Sequence, residues 1–232
     1  MASYTLGLDL GKERDPSALV IAEHVQFMVP GRLRDECFDD TGGPRIEEAH
    51  HIRHIQRFEL GTPYDAVVDA VGELMSTPEL RSDAVLVFDR TGVGGAVADL
   101  IDAAYRRGEL GRCYWPLGVT LTAGFAQHGG KGGQFWTTTA HKGDVVQRLY
   151  MLLESERLKI PLGLAGAEQL TKEVRAFRPK QNPRTGNLSF EAERESDHDD
   201  LVIALALSVW YSHVYCKPRY IDPQSGELRE AS

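Results

Sequence analysis

The sequence predicts an α/β protein with a mixed central sheet flanked by helices, and three observations support this prediction. Residues 4–10 and 51–60 alternate in polarity from one residue to the next, as half-buried strands do. Residues 84–88 form an unbroken apolar run that ends at Asp89, which is typical of a strand covered on both faces. Helical apolar stripes then alternate with further strands, and this alternation indicates a sheet with helices packed on it.

The composition is that of a single globular domain. The 232 residues carry 26 Lys and Arg against 34 Asp and Glu, which gives a formal net charge of −8. We treat residues 1–232 as one domain because no internal repeat or linker is evident. An acidic chain attracts nucleic acid poorly, so a DNA substrate would depend on local basic loops or on a partner. With 3 Cys and no CxxC pair, no signal peptide and no membrane-spanning apolar run, we expect an intracellular protein.

Turn signals and apolar stripes divide the first half of the chain into short elements. A polar stretch rich in Gly and Pro predicts an excursion loop, and Thr62-Pro63 opens a helix. The predicted elements are a strand, a turn, a returning strand that completes a hairpin, the excursion loop, a third strand and the helix, over residues 4–10, 11–15, 17–25, 30–48, 51–60 and 64–75.

The second half is predicted to alternate strands and helices before it becomes mainly helical. After the apolar strand at 84–88 and a Gly-rich turn, a helix ends near residue 107. The remaining predicted elements are a strand, a Gly-rich mobile segment, two helices, a hairpin and a last helix, over residues 114–121, 124–138, 139–156, 165–177, 177–192 and 197–214. The last helix is apolar nearly all round, so it should be buried against the sheet.

Acidic residues stand at the ends of three apolar elements. Asp9 ends the first strand on its small-residue face, Asp89 ends the buried strand, and Asp199 and Asp200 lie in the first turn of the last helix. Each alone is more often a helix cap or a turn residue. Together they are unfavourable in a core unless a cation is bound, and hard oxygen ligands suit Mg²⁺ or Mn²⁺.

Three segments resemble the acidic motifs in the nuclease domain of tailed-bacteriophage large terminases. They are Leu6-Gly-Leu-Asp-Leu-Gly, Val87-Phe-Asp-Arg-Thr-Gly-Val-Gly and His198-Asp-Asp-Leu-Val-Ile-Ala-Leu-Ala-Leu, and the likeness spans residues 4–212. The resemblance implies an RNase H-like fold and metal-dependent cleavage of concatemeric double-stranded DNA during viral genome packaging. It also implies an ATPase motor, a small terminase and a portal as partners, in the host cytoplasm. No GxxxxGK[ST] motif occurs, so the motor would belong to a separated domain or to another chain.

The same resemblance implies roles for individual residues. Asp9, Asp89 and Asp200 would hold two Mg²⁺ or Mn²⁺ ions, one of which activates a water while the other stabilises the leaving 3′-oxygen. The products would carry 5′-phosphate and 3′-hydroxyl ends. Asp199 would be a supporting acid or an alternate ligand, and His198 would orient one of the acids. We choose Asp200 over Asp199 because it lies closer to the buried body of the helix.

Basic residues flank these motifs despite the acidic net charge. Each one alone is typical of a solvated surface, but as a group they are candidates for a track along the DNA backbone. They comprise Lys12, Arg14, Lys131, Arg178, Lys180 and Arg184, with Arg175 beside them.

Other polar residues are interpreted as structural. His50, His51 and His54 lack the spacing of a zinc site and are predicted to be exposed on a strand. Glu173 is a candidate fourth acid, but a helical Glu more often faces solvent, and it is predicted to do so. The glycines at 92–95 lack the last glycine of a GxGxxG fingerprint, because Val97 stands at that position. We therefore interpret them as small residues that leave space for the backbone beside Asp89.

Three other functions remain open from the residues alone. A junction resolvase-like nuclease would share the fold and prefer four-way junctions. A sugar-kinase or actin-like ATPase is suggested by Asp9-Leu-Gly-Lys, although 232 residues are too few for the two domains such proteins need. A structural packaging adaptor would show no metal dependence.

Overall fold

The computed structural model describes residues 3–11, 15–28, 46–92, 94–111, 114–123, 131–132, 135–181, 188–192, 199–215, 219–221 and 228–230. The helices are α1 Tyr64–Met75, α2 Gly94–Arg106, α3 Lys142–Glu154, α4 Ala167–Ala176 and α5 Asp200–Tyr215. The strands are β1 Tyr4–Asp9, β2 Ala18–Met28, β3 Ile46–Arg57, β4 Ala84–Asp89, β5 Leu117–Thr122, β6 Lys131–Gly132, β7 Phe135–His141, β8 Leu158–Lys159, β9 Phe177–Gln181, β10 Leu188–Ala192, β11 Arg219–Ile221 and β12 Leu228–Glu230.

Eight of the described strands form one mixed sheet, in the order β6-β7-β5-β4-β1-β2-β3-β8. β1, β2 and β3 are antiparallel neighbours, whereas β1, β4, β5 and β7 run parallel to one another. β9 and β10 form the predicted hairpin outside this sheet. The prediction of an α/β fold with a mixed central sheet is therefore confirmed.

The two faces of the sheet carry separate apolar cores. Leu6 and Leu8 of β1 pack on one face with the apolar stripes of α1 and α2. The opposite face packs against α3, α4 and α5. Because side chains alternate along a strand, Gly7 and Asp9 belong to this second face. From Asp200 to Trp210 every residue of α5 is buried, as its all-round apolar pattern predicts.

The segment between β5 and α3 differs from its prediction. Residues 135–141 form strand β7, which pairs in parallel with β5, so the helix predicted from residue 139 begins at Lys142. Thr137, Thr138 and Thr139 are consecutive β-branched residues, which suit a strand better than a helix. The Gly-rich segment predicted to be mobile therefore contains strand residues, and its residues 124–130 and 133–134 lie outside the described ranges.

The third strand also differs in its limits from the prediction. It begins at Ile46, inside the predicted excursion loop, because its first residues pair with the far end of β2 at Met28. It ends at Arg57, before the predicted end at Leu60.

In the part of the chain that the structure describes, no helix is long and apolar enough to cross a bilayer.

Candidate metal centre

Two of the predicted acids lie side by side at one edge of the sheet. In the parallel pair β1–β4, Leu8 is opposite Phe88, so the next residues along the two strands are Asp9 and Asp89. Residues opposite each other on neighbouring strands project from the same face. Both carboxylates therefore lie on the face that α5 covers.

Gly7 sets the distance between α5 and this edge. A Cβ atom at Gly7 would lie 2.0 Å from the carbonyl oxygen of Ala204 and 2.8 Å from the amide nitrogen of Ser208. The helix backbone therefore rests directly on the β1 backbone. Asp200 lies one turn before Ala204 on the same side of the helix, just as Asp9 lies two residues beyond Gly7 on the same side of the strand. This close packing brings Asp200 to Asp9.

The two adjacent acids of the last helix have different surroundings. Asp200 is only 4% exposed. Asp199 caps the helix, since its carbonyl oxygen accepts the amide hydrogen of Ile203, and its side chain is about a third exposed. The ammonium nitrogen of Lys142 lies 3.6 Å from Asp199 Oδ2. Asp200 is thus the acid that faces the sheet, while its role as the direct ligand stays a prediction.

The charges at this edge are strongly coupled. The pKa of Asp9 is raised well above its ordinary value, first by burial and then by the negative charges of Asp89, Asp200 and Asp199, with Lys142 opposing the rise. Among the described residues that interact here, carboxylates outnumber cations. No three His, Cys, Asp or Glu side chains in the described ranges already converge as metal ligands. A cation would have to draw the carboxylates together.

Asp89 is held by the turn that follows its strand. Its Oδ1 accepts the amide hydrogen of Thr91 at 2.7 Å. The Thr91 hydroxyl in turn accepts the amide hydrogen of Leu121 at 2.9 Å, which ties the turn to β5. Gly92 adopts a φ of 85°, a left-handed conformation that glycine allows without strain. The Gly-bearing segment therefore begins as a tight turn directly beside Asp89.

Arg57, which the sequence did not indicate, and Glu173, the candidate fourth acid, also approach Asp200. Glu173 was predicted to face solvent, which is wrong, because it is 4% exposed. Its carboxylate accepts a hydrogen bond from Arg57, whose guanidinium nitrogen also lies 3.5 Å from Asp200 Oδ2. The signal was available in the spacing of α4, because Glu173 falls at position i+3 of the apolar stripe formed by Leu170 and Val174.

The prediction of exposed strand histidines is wrong for His50. This residue is fully buried, stacks on His24 with ring centroids 5.2 Å apart, and donates from Nε2 to the Ser212 hydroxyl at 2.6 Å. His24 donates from its own Nε2 to Glu48 at 2.9 Å. Burial lowers the pKa of His24 to about 4, with help from the charge of Arg148. Burial also lowers the pKa of His50 to about 3, with help from His24.

Acid should destabilise the fold through these two histidines. Their imidazoles take up protons below about pH 6.5 in the unfolded chain but only near pH 4 and pH 3 in the folded protein, so stability is lost as the pH falls below 6.5. We expect each histidine to lower the free energy of unfolding by about 2 kcal/mol between pH 7 and pH 5. Urea unfolding at the two pH values measures this loss.

The variant His50→Gln keeps a donor toward Ser212 but cannot titrate, so it should lose about half as much stability over the same pH range. His51→Gln, on the same strand and more exposed, is the matched control and should behave as the unaltered protein does. Equal losses in His50→Gln and the unaltered protein would contradict the assignment.

The structure leaves the predicted DNA-contacting residues and His198 untested. Lys12, Arg14, Arg184 and His198 lie outside the described residues. Lys131 lies in β6, and Arg178 and Lys180 lie in β9, the first strand of the hairpin. Only the backbone of these three residues is described.

Comparison with solved structures places this arrangement in a known class of fold. The large terminase nuclease from thermophilic phage G20c is similar at a TM-score of 0.55 and 20% identity, covering 90% of this chain and 81% of that one. The human cytomegalovirus terminase nuclease domain matches at a TM-score of 0.51 and 12% identity, covering 99% and 89%. A manganese-soaked structure of the cytomegalovirus domain matches at a TM-score of 0.50 and 13% identity, covering 98% and 87%.

The chain therefore has an RNase H-like fold. Within that class, its fold is that of the terminase nuclease domains, as the three acidic motifs predict. No protein-family model and no curated protein sequence matches it.

Proposed function

We propose that this protein is a metal-dependent endonuclease that cleaves concatemeric double-stranded viral DNA during genome packaging. The observation that carries the proposal is that Asp9, Asp89 and Asp200 lie near one another at one sheet edge, where burial first and then the charges of Asp89 and Asp200 raise the pKa of Asp9. The similarity in fold to two terminase nuclease domains, one of them soaked with manganese, supports it. Residues 1–232 would act as a single nuclease domain.

The donor set fits Mg²⁺ or Mn²⁺. Asp9, Asp89 and Asp200 supply hard carboxylate oxygens from two strands and a helix, and their excess negative charge favours two divalent ions over one. When bound, such ions supply Lewis-acid stabilisation of a phosphodiester and a more acidic bound water. Asp199 and Lys142 lie beside this set, where Lys142 offers a positive charge to a DNA phosphate.

The same similarity supports a proposal for the substrate and the partners. We propose double-stranded DNA as the substrate, with the track of Lys12, Arg14, Lys131, Arg178, Lys180 and Arg184 along its backbone. A packaging ATPase motor, a small terminase and a portal would deliver the DNA. Such partners would also compensate for a net charge of −8, which opposes the approach of free DNA.

Supercoiled plasmid should be nicked and linearised by the pure protein in Mn²⁺ or Mg²⁺ and should stay intact in EDTA, because the carboxylates cannot act without the ions. Agarose gels over a time course measure this. Cleavage that persists in EDTA would exclude the metal mechanism. Faster cleavage of a four-way junction than of linear duplex would favour the resolvase alternative instead.

A further inference from the structure

Arg57 and the buried Glu173 form a partly buried ion pair beside Asp200 that joins three elements of the fold. Arg57 ends β3, Glu173 lies in α4, and Asp200 begins α5. In the sheet, Ala18 pairs with both Asp9 and Arg57, so Arg57 lies in the same transverse row as Asp9 and on the same face. The Arg57–Glu173 pair therefore lies directly beside the sheet edge that carries Asp9 and Asp89.

Both oxygens of Glu173 are engaged. Its Oε1 accepts hydrogen bonds from Arg57 and, at 2.9 Å, from Gln169 Nε2. Its Oε2 lies 3.3 Å from the amide nitrogen of Leu201, whose hydrogen it accepts. The first amide groups of a helix have no acceptor within the helix, so Glu173 caps α5 from a different helix. A carboxylate engaged in this way is a poor candidate for a metal ligand.

Arg57 separates two negative charges. One of its guanidinium nitrogens donates to Glu173 and also lies 3.5 Å from Asp200 Oδ2. Without Arg57, the two buried carboxylates would face each other uncompensated, and the Asp200 side chain could rotate away from the sheet edge. The geometry thus connects the orientation of Asp200 to residues far from it in the chain.

We propose that Arg57 and Glu173 are positioning residues that hold the first turn of α5 and the Asp200 carboxylate in the orientation needed for cation binding. Glu173 fixes the backbone of the turn through Leu201, and Arg57 fixes the side chain. The inference rests on the proposed metal-dependent nuclease function. Groups that orient metal ligands typically change metal affinity or activity by about 10–100-fold when they are altered.

The test measures Mn²⁺ affinity by calorimetry, and amide hydrogen exchange of Leu201 in protein freed of metal by EDTA. In Glu173→Gln we expect faster exchange of the Leu201 amide and Mn²⁺ binding about tenfold weaker. Arg57→Met should weaken Mn²⁺ binding by a similar factor, while Arg57→Lys, which keeps the charge, should restore part of it. Cleavage should fall in kcat with little change in KM for DNA.

Glu168→Gln is the matched control, because Glu168 lies exposed in the first turn of the same helix, and this variant should leave every measurement unchanged. Wild-type Mn²⁺ affinity in both Glu173→Gln and Arg57→Met would overturn the proposal, even if Leu201 exchanges faster, because the pair would then serve stability alone.

A double-mutant cycle measured by urea unfolding tests the proposal even if the protein binds no metal or a variant folds poorly. Arg57→Met and Asp200→Asn, alone and combined, should be non-additive in the unfolding equilibrium constant by on the order of tenfold in metal-free urea titrations. Additive effects would overturn the positioning role. If the unaltered protein neither binds Mn²⁺ nor cleaves DNA while the non-additivity persists, the nuclease function fails and the coupling of Arg57 to Asp200 stands.

Discussion

Replacing Asp200 by Asn should lower the rate of metal-dependent DNA cleavage by at least about 100-fold. The substitution keeps the shape of the side chain but removes one ligand charge from the buried edge, and metal stabilisation of transition-state charge is worth several kcal/mol. Stability should stay within about 1 kcal/mol, because the loss of a negative charge beside Asp9 offsets the lost attraction to Arg57. Plasmid cleavage and urea unfolding measure the two effects.

Asp199→Asn is the matched comparison, since it makes the same change one position earlier on a side chain that is about a third exposed. We expect a much smaller loss of activity, because this side chain pairs with Lys142 at the rim. The reverse result, with Asp199→Asn inactive and Asp200→Asn active, would exchange their roles. Unchanged activity in both would place the site elsewhere.

Gly7→Ala should destabilise the fold by about 3 kcal/mol or more. The added methyl group would meet the backbone of α5 at 2.0 Å, and backbone cannot rotate away as a side chain can. The helix would have to move away from β1 and carry Asp200 from Asp9, so we expect metal affinity and cleavage to fall as well. Urea unfolding and Mn²⁺ titration of the variant measure both losses.

Gly118→Ala is the matched control within the same sheet. Its added Cβ would lie 2.4 Å from a carbon of the flexible Arg90 side chain, which can move aside at less expense. This variant should lose clearly less stability than Gly7→Ala. If the two variants were equally stable, the close contact of α5 with β1 would not determine the geometry of the site.

Local patterns were sufficient to predict several elements, including the strand that carries Asp89. The helix over residues 64–75 and the strand ending at Asp89 have the predicted limits, because an apolar period or an apolar run specifies them without reference to distant residues. The segment before Lys142 was predicted wrongly. Glycines dominated its pattern, whereas parallel pairing with β5 makes residues 135–141 a strand.

Sequence alone also indicated which acids to expect near one sheet edge, with Asp199 and Asp200 both as candidates, since strand ends and helix starts are local features and the three motifs resemble those of a known class of nuclease. Only the tertiary structure decided how they meet. The contact of Gly7 with Ala204 turns Asp200 rather than Asp199 toward the sheet, and Arg57 reaches Glu173 across 116 positions of chain. Glu173 and His50 are both buried and have structural roles, although their polarity predicted that each would be exposed to solvent. The physical reason is that such contacts depend on which faces pack together, and no periodicity within one element records the element that will cover it.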